Sequence, residues 1–196
     1  MRILLFILFS SNFIVGQNLL DSLQLDSVIA IESLAEAEKN PESVIKLVLR
    51  KQKLKEFPKE IFQFKNLQYL DLGKNSIKEI PDSIQLLSNL QHLDISRNKL
   101  ERVSMKIGDL KKLYYLNLNN NNLEFLPPQI GNLEKLRILD LWSNNLEDVP
   151  ETISNLKNLQ ILDLRVILFS EGKQQTIQSY VPNSTVHFSP SCNCKW

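Results

Sequence analysis

Val44, Leu67, Leu90, Leu113, Leu136 and Leu159 stand 23 residues apart, with no insertion anywhere in the series. This spacing divides the chain into five full units, 44–66, 67–89, 90–112, 113–135 and 136–158, and a truncated sixth from Leu159. Counting each unit's first residue as offset 0, offsets 0, 3, 5, 10, 13, 17 and 20 make thirty-five positions, and all thirty-five are apolar. At the chain's 43% hydrophobic content, composition alone would fill about fifteen of them. A strict period of this length belongs to an array of stacked repeats and not to a globular core built from distant segments.

The offsets also prescribe local structure. Leu47/Leu49, Leu70/Leu72, Leu93/Ile95, Leu116/Leu118 and Leu139/Leu141 lie two apart, which puts both side chains on one face of an extended strand. Pro58, Pro81, Pro127 and Pro150 follow at offset 14, with Ser104 as the exception, and the apolar positions at offsets 17 and 20 are three apart. Proline is tolerated in a first helical turn, so each unit reads as strand, turn and roughly one turn of helix on the opposite side. One such unit cannot bury its apolar face alone; stacking supplies the missing partner and pairs the strand edges.

Asn75, Asn98, Asn121 and Asn144 occupy offset 8, between strand and turn. A buried amide there can satisfy backbone groups of its own turn and of the neighbouring one, forming a ladder that starts weakly at Gln52 and stops at Ile167. The pattern L-x-x-L-x-L-x-x-N, as in LQYLDLGKNSIKEIP and LRILDLWSNNLEDVP, resembles the leucine-rich repeat. Units of 23 residues with Ile-Pro or Val-Pro resemble the subclass of Ras-suppressor, Scribble-like and secreted bacterial repeat proteins. The segment IESLAEAEKNPESVIKLVLRKQKLKEFPKEI is similar to the opening of the bacterial members. This resemblance implies an α/β solenoid shaped as a horseshoe, with a parallel sheet on the concave face. It also implies short helices or 3-10 turns on the convex face, a helical N-terminal cap, and the concave sheet as the contact surface.

The ends differ from the array. Met1-Arg2, an apolar run from Ile3 to Phe9 and the small residues before Gln17 have the layout of a secretory signal peptide over 1–16, with Ile14 an imperfect fit to the cleavage pattern. The run is far short of the ~20 residues of a membrane-spanning helix. A buried N-terminal element of a cytoplasmic protein is the alternative. Residues 17–43 are expected to form the N-terminal cap, as an amphipathic helix over Ser27–Lys39 stopped by Pro41. The repeats then fill 44–166, and a C-terminal cap over 167–188 holds a helix near Lys173–Tyr180 and a closing strand. Segment 17–43 carries six acids and one Lys, while 44–66 carries seven cations and two acids. Either the acidic cap leans on basic unit one, or the basic surface docks an anionic partner. The tail 189–196 holds Cys192 and Cys194. They read as a strained bridge, a soft-metal site shared with a second chain, an intermolecular disulfide, or residues without a specific role. Asn183-Ser184-Thr185 is a glycan acceptor triplet.

The strand positions expected to face outward on the sheet are offsets 2, 4, 6 and 7. They supply the candidate binding residues Tyr69, Asp71, His92, Asp94, Arg97, Tyr115, Asn117, Asn119, Asp140, Trp142, Asp163 and Arg165. Adjacent aromatic and acidic stripes offer anchors beside charged contacts, although Asp at offset 4 also resembles family scaffold. With 23 Lys plus Arg against 22 Asp plus Glu, the basic excess of a nucleic-acid binder is missing. Two histidines, five glycines without a phosphate-cradling run, and no metalloprotease helix leave catalysis, cofactors and metal without a motif. The sequence therefore points to an exported, secreted, periplasmic or surface-attached module that binds protein. A glycan or cell-envelope binder using Trp142 and the tyrosines is the second reading, and an intracellular scaffold the third.

Overall fold

The computed structural model describes residues 19–190. The expected signal peptide and the Cys192/Cys194 tail lie outside them. Seven parallel strands form one sheet: β1 (Lys46–Val48), β2 (Tyr69–Asp71), β4 (His92–Asp94), β6 (Tyr115–Asn117), β7 (Ile138–Asp140), β8 (Ile161–Leu164) and β9 (Thr185–Phe188). The register repeats without slippage, Tyr69 opposite His92, His92 opposite Tyr115 and Tyr115 opposite Ile138. Identical spacing in every unit leaves no other alignment that keeps all the leucines on the core side. Leu47, Leu70, Leu93, Leu116 and Leu139 are fully buried, as are Ile61, Ile84, Ile107, Ile130 and Ile153 at offset 17. The core is thus a continuous column between sheet and convex surface.

The convex segments are five-residue 3-10 helices, as at Lys59–Gln63, Asp82–Leu86 and Glu151–Asn155. Pro58, Pro81, Pro127 and Pro150 stand just before them in extended conformation, where the missing N–H is not needed. Ser104 has an N–H where those units have proline, and it donates to the carbonyl of Ile80 at 3.1 Å. That extra bond accompanies a small second sheet of β3 (Glu79–Ile80) with β5 (Arg102–Val103), confined among the described residues to these two units. Gly131 meets the next unit so closely that a Cβ there would lie 2.2 Å from the Thr152 carbonyl oxygen.

The asparagine at offset 8 ties successive units together. Asn121 Oδ1 accepts from the N–H of Leu100 at 2.9 Å, and its Nδ2 donates to the carbonyls of Ile95 and Leu118 at 3.0 and 2.9 Å. Asn75, Asn98 and Asn144 repeat the same pattern, each in its own unit. Gln52 instead reaches back to the Glu32 carbonyl in the cap.

The N-terminal cap differs from the single helix expected over Ser27–Lys39. Two short helices, α1 (Ser22–Ser27) and α2 (Leu34–Ala37), flank an extended stretch. In that stretch Ile31 pairs with Leu47: its N–H reaches the Lys46 carbonyl at 3.0 Å, and its own carbonyl accepts from Val48 at 2.9 Å. The first strand has a bare edge that must be covered, and the β-branched Val28, Ile29 and Ile31 favour the extended form. Cap and first unit meet through Ile31, through Lys46 Nζ on the carbonyls of Leu25 and Asp26, and through Gln52. Among the described residues no salt bridge joins cap acids to the cations of unit one, so the expected electrostatic clasp is replaced by backbone contacts. At the other end α3 (Glu171–Tyr180) buries Ile177, and β9 closes the sheet against β8.

Candidate functional site

Offset 2 becomes a column of planar groups running across the strands. Lys46 Nζ lies 4.7 Å above the Tyr69 ring, Tyr69 stacks on His92 at 3.9 Å, and His92 stacks on Tyr115 at 4.2 Å. The rings are within 11° and 7° of parallel, as the register of adjacent strands requires when the same offset is aromatic in three units running. All three are half-buried. Their faces are turned on one another and their edges are left outward. Burial, reinforced by Asp71 and Asp94, pushes the Tyr69 hydroxyl up to about 12. Burial likewise holds His92 down at about 4, against the opposing pull of Asp94 and Asp26. At neutral pH the three stacked rings are therefore uncharged.

Offset 4 was expected to face outward, and the structure places it mostly inside. Asp71, Asp94, Asn117 and Asp163 are 5%, 9%, 7% and 8% exposed. In each case Oδ1 turns back to accept the backbone N–H two residues on: Gly73, Ser96, Asn119 and Arg165 respectively, at 2.8–3.1 Å. Asp140 does the same with Trp142 at 3.0 Å. The short side chain completes the strand-to-turn junction, so the acidic stripe serves the backbone before it can serve a ligand. Its second oxygens are also engaged. Arg50, one of the seven cations of unit one, reaches Asp71 at 2.6 Å and Asp94 at 3.2 Å, crossing over Gly73 where a larger residue would collide with its guanidinium. Asn119 donates to Asp140 at 2.6 Å, and Arg165 forks onto Asp163. Burial raises Asp71 and Asp140 above the usual carboxylate range despite these bonds, whereas Asp163, which has Arg165 to itself, is held below it against its own burial.

Trp142 is half-buried at offset 6, and no ring contact joins it to the tyrosine column among the described residues. The predicted aromatics thus form two separate features. Offset 7 holds a regularity that the sequence did not signal: Lys51, Lys74, Arg97, Asn120, Ser143 and Val166 all have positive φ, between 52° and 63°. None is glycine, so the left-handed turn is imposed by the bonds around it, Lys51 donating to Gly73, Lys74 to Ser96 and Arg97 to Asn119. Among the described residues no cluster of three or more His, Cys, Asp or Glu could hold a metal ion, and no helix is long and apolar enough to cross a membrane.

Leucine rich repeat profiles match residues 42–100 and, as a leucine-rich repeat region, 99–172. The chain belongs to the leucine-rich-repeat family. Among solved structures, a leucine-rich-repeat protein of Leptospira interrogans is 31% identical with a TM-score of 0.68, over 84% of this chain and 49% of its own. A plant peptide hormone receptor in complex with its peptide is 30% identical with a TM-score of 0.62, over 75% of this chain and 24% of its own. The leucine-rich-repeat ectodomain of an Arabidopsis thaliana membrane receptor kinase, in complex with a Casparian strip integrity factor, is 26% identical with a TM-score of 0.58. It matches 86% of this chain and 19% of its own length. The repeat protein described here therefore spans about half the Leptospira protein and a smaller share of the receptors. No curated protein matches it. Two of these similar proteins are plant receptors solved with a bound partner.

Proposed function

We propose that the protein is an exported, non-catalytic module that recognises a polypeptide through the concave sheet, with the Lys46–Tyr69–His92–Tyr115 column as its anchor. The observation that carries this reading is the stacking itself. Rings held by their neighbours lose little freedom on binding, and tyrosine edges combine apolar area with a hydroxyl, which is what a protein contact uses. A sugar stacks on an open aromatic face, whereas here both faces of His92 and one face of each tyrosine are taken by neighbouring rings, with Lys46 over Tyr69. Trp142 is the residue left for that role, so glycan binding remains a second reading confined to it. A similar plant peptide hormone receptor and a similar membrane-receptor-kinase ectodomain each hold a bound partner, which supports the first reading and a location outside the cytoplasm.

Panning a displayed peptide library against the chain without residues 1–16 tests the anchor. Selected peptides are expected to bind the Tyr69→Ala/Tyr115→Ala variant at least about tenfold more weakly, as for loss of two interface anchors. Undiminished binding to that variant would sink the proposal, and loss only on Trp142→Ala, with sugars recognised on an array, would replace it by the glycan reading. Export is tested separately by the intact mass of the protein from native cell fractions. A chain starting at Gln17 outside the cytoplasm is expected; a full-length cytoplasmic chain would make this an intracellular scaffold.

A further inference from the structure

The offset-7 column is more than a backbone curiosity in the first three units. There it consists of Lys51, Lys74 and Arg97, one per strand, all exposed and none in an ion pair among the described residues. Ladder bonds from each of these N–H groups to the next strand fix the three Cα atoms one strand spacing apart. The left-handed turn they share sends the three side chains off the rim in the same sense. In the following units the same turn carries Asn120, Ser143 and Val166, so the turn does not require a cation. Like charges this close oppose one another, and Lys74 shows it: Lys51 and Arg97 hold its ammonium below the usual lysine range. Lys53 and Lys99 are exposed beside the column. Of the neighbouring acids, Asp71 and Asp94 are already held by Arg50, and Glu79 is held by Arg102 at 2.9 Å. Among the described residues no cap acid forms a salt bridge with the column either. A repulsive array that the protein itself leaves uncompensated is complementary to an anion from outside.

We infer that Lys51, Lys74 and Arg97 form a docking rail for the acidic face of a helical segment in the partner protein, lying along the solenoid axis at the rim of the concave sheet. Spacing favours a helix. Acids on one helical face recur about every 5.4 Å, against a strand spacing of about 4.8 Å, so three charges drift by only about 1 Å. An extended peptide places same-face side chains about 6.7 Å apart and falls about 4 Å out of step over the same three cations. The inference rests on the partner being a protein, but it does not use the tyrosine column.

The test uses the chain without residues 1–16 and two fluorescein-labelled alanine-based helical peptides of equal composition, one with glutamates along a single face and one with them spread around the helix. The single-face peptide is expected to bind at least about tenfold more tightly at low salt, with the advantage lost at about 0.5 M salt, where charges are screened within a few ångströms. The advantage should vanish in Lys74→Glu/Arg97→Glu and survive in Tyr69→Ala/Tyr115→Ala. A single-face lysine peptide should bind the charge-reversed variant, which also shows that the variant is folded. Equal affinity for the two glutamate peptides would overturn the rail, as would an advantage that persists in the reversed variant. Binding lost only with the tyrosines would overturn it too while leaving the sheet reading in place.

Discussion

Asn121→Leu is expected to lower the stability of the protein by about 3–5 kcal/mol, although leucine is the more apolar residue and the site is only 6% exposed. The amide satisfies the Leu100 N–H and the carbonyls of Ile95, Leu118 and Asn119, so its loss leaves one buried donor and several acceptors without a partner. Each such group costs about 1–3 kcal/mol when stranded, and a side chain without polar atoms recovers none of it. Asn121→Asp should do no better, because a carboxylate offers no donor to the two strand carbonyls and would have to ionise among them. The position amplifies the effect. Asn121 belongs to the fourth unit and couples it to the third, and in an array where each unit touches only its neighbours a weakened internal junction divides the row. Urea unfolding followed by circular dichroism should show the transition moved to lower denaturant and broadened into two steps, with the same substitution at half-exposed Asn75 costing less. A shift worth less than about 0.5 kcal/mol would mean that the ladder is dispensable.

How much of this was legible in the sequence depended on whether a feature repeats. The apolar offsets and the asparagine ladder recur in unit after unit, so their spacing alone forced the strand, the turn and the stacked register. The acids at offset 4 recur as well, but repetition could not say which way they point. Alternation along a strand puts Asp71 and Asp94 on the outer face, and only the three-dimensional turn shows their carboxylates folded back onto Gly73 and Ser96. Features that occur once were the hardest to read. Ile31 looked like one face of a helix because Val28, Ile31, Leu34 and Ala35 share that period, yet the unsatisfied edge of the first strand claims its backbone. The pull of a tertiary partner overrode a local pattern only a few residues long. Ser104 stood out as the one unit without proline, but its consequence, a donated bond to Ile80, needed the neighbouring strand to be seen. The left-handed turn at offset 7 had no signal at all, since lysine, arginine, serine and even Val166 occupy a conformation that sequence reading assigns to glycine or asparagine.

The second large effect concerns acid. His92 is held at about 4 in the folded chain against an ordinary value of 6.5, chiefly because its ring is buried between Tyr69 and Tyr115, with nearby Lys46 adding to the effect. The unfolded chain then binds a proton between these two values that the folded chain refuses. Stability must therefore fall as pH drops from about 6.5 to about 4 and level off below, by about 2–3 kcal/mol in total. The carboxylates shifted by the fold pull in opposite directions. Asp71 and Asp140, raised by burial, favour the fold as they take up protons, whereas Asp163 and Asp148, held down by Arg165 and Lys173, disfavour it. Substitution of His92 isolates its own share of the pH profile. His92→Phe keeps a ring in the stack and should flatten the profile between pH 6.5 and 4 while leaving stability at pH 7.5 nearly unchanged. Following the His92 ring proton by NMR gives the direct reading. A midpoint near 4 is expected, and one near 6.5 would mean that the ring is hydrated and the column open, in which case its faces would be available to a sugar after all.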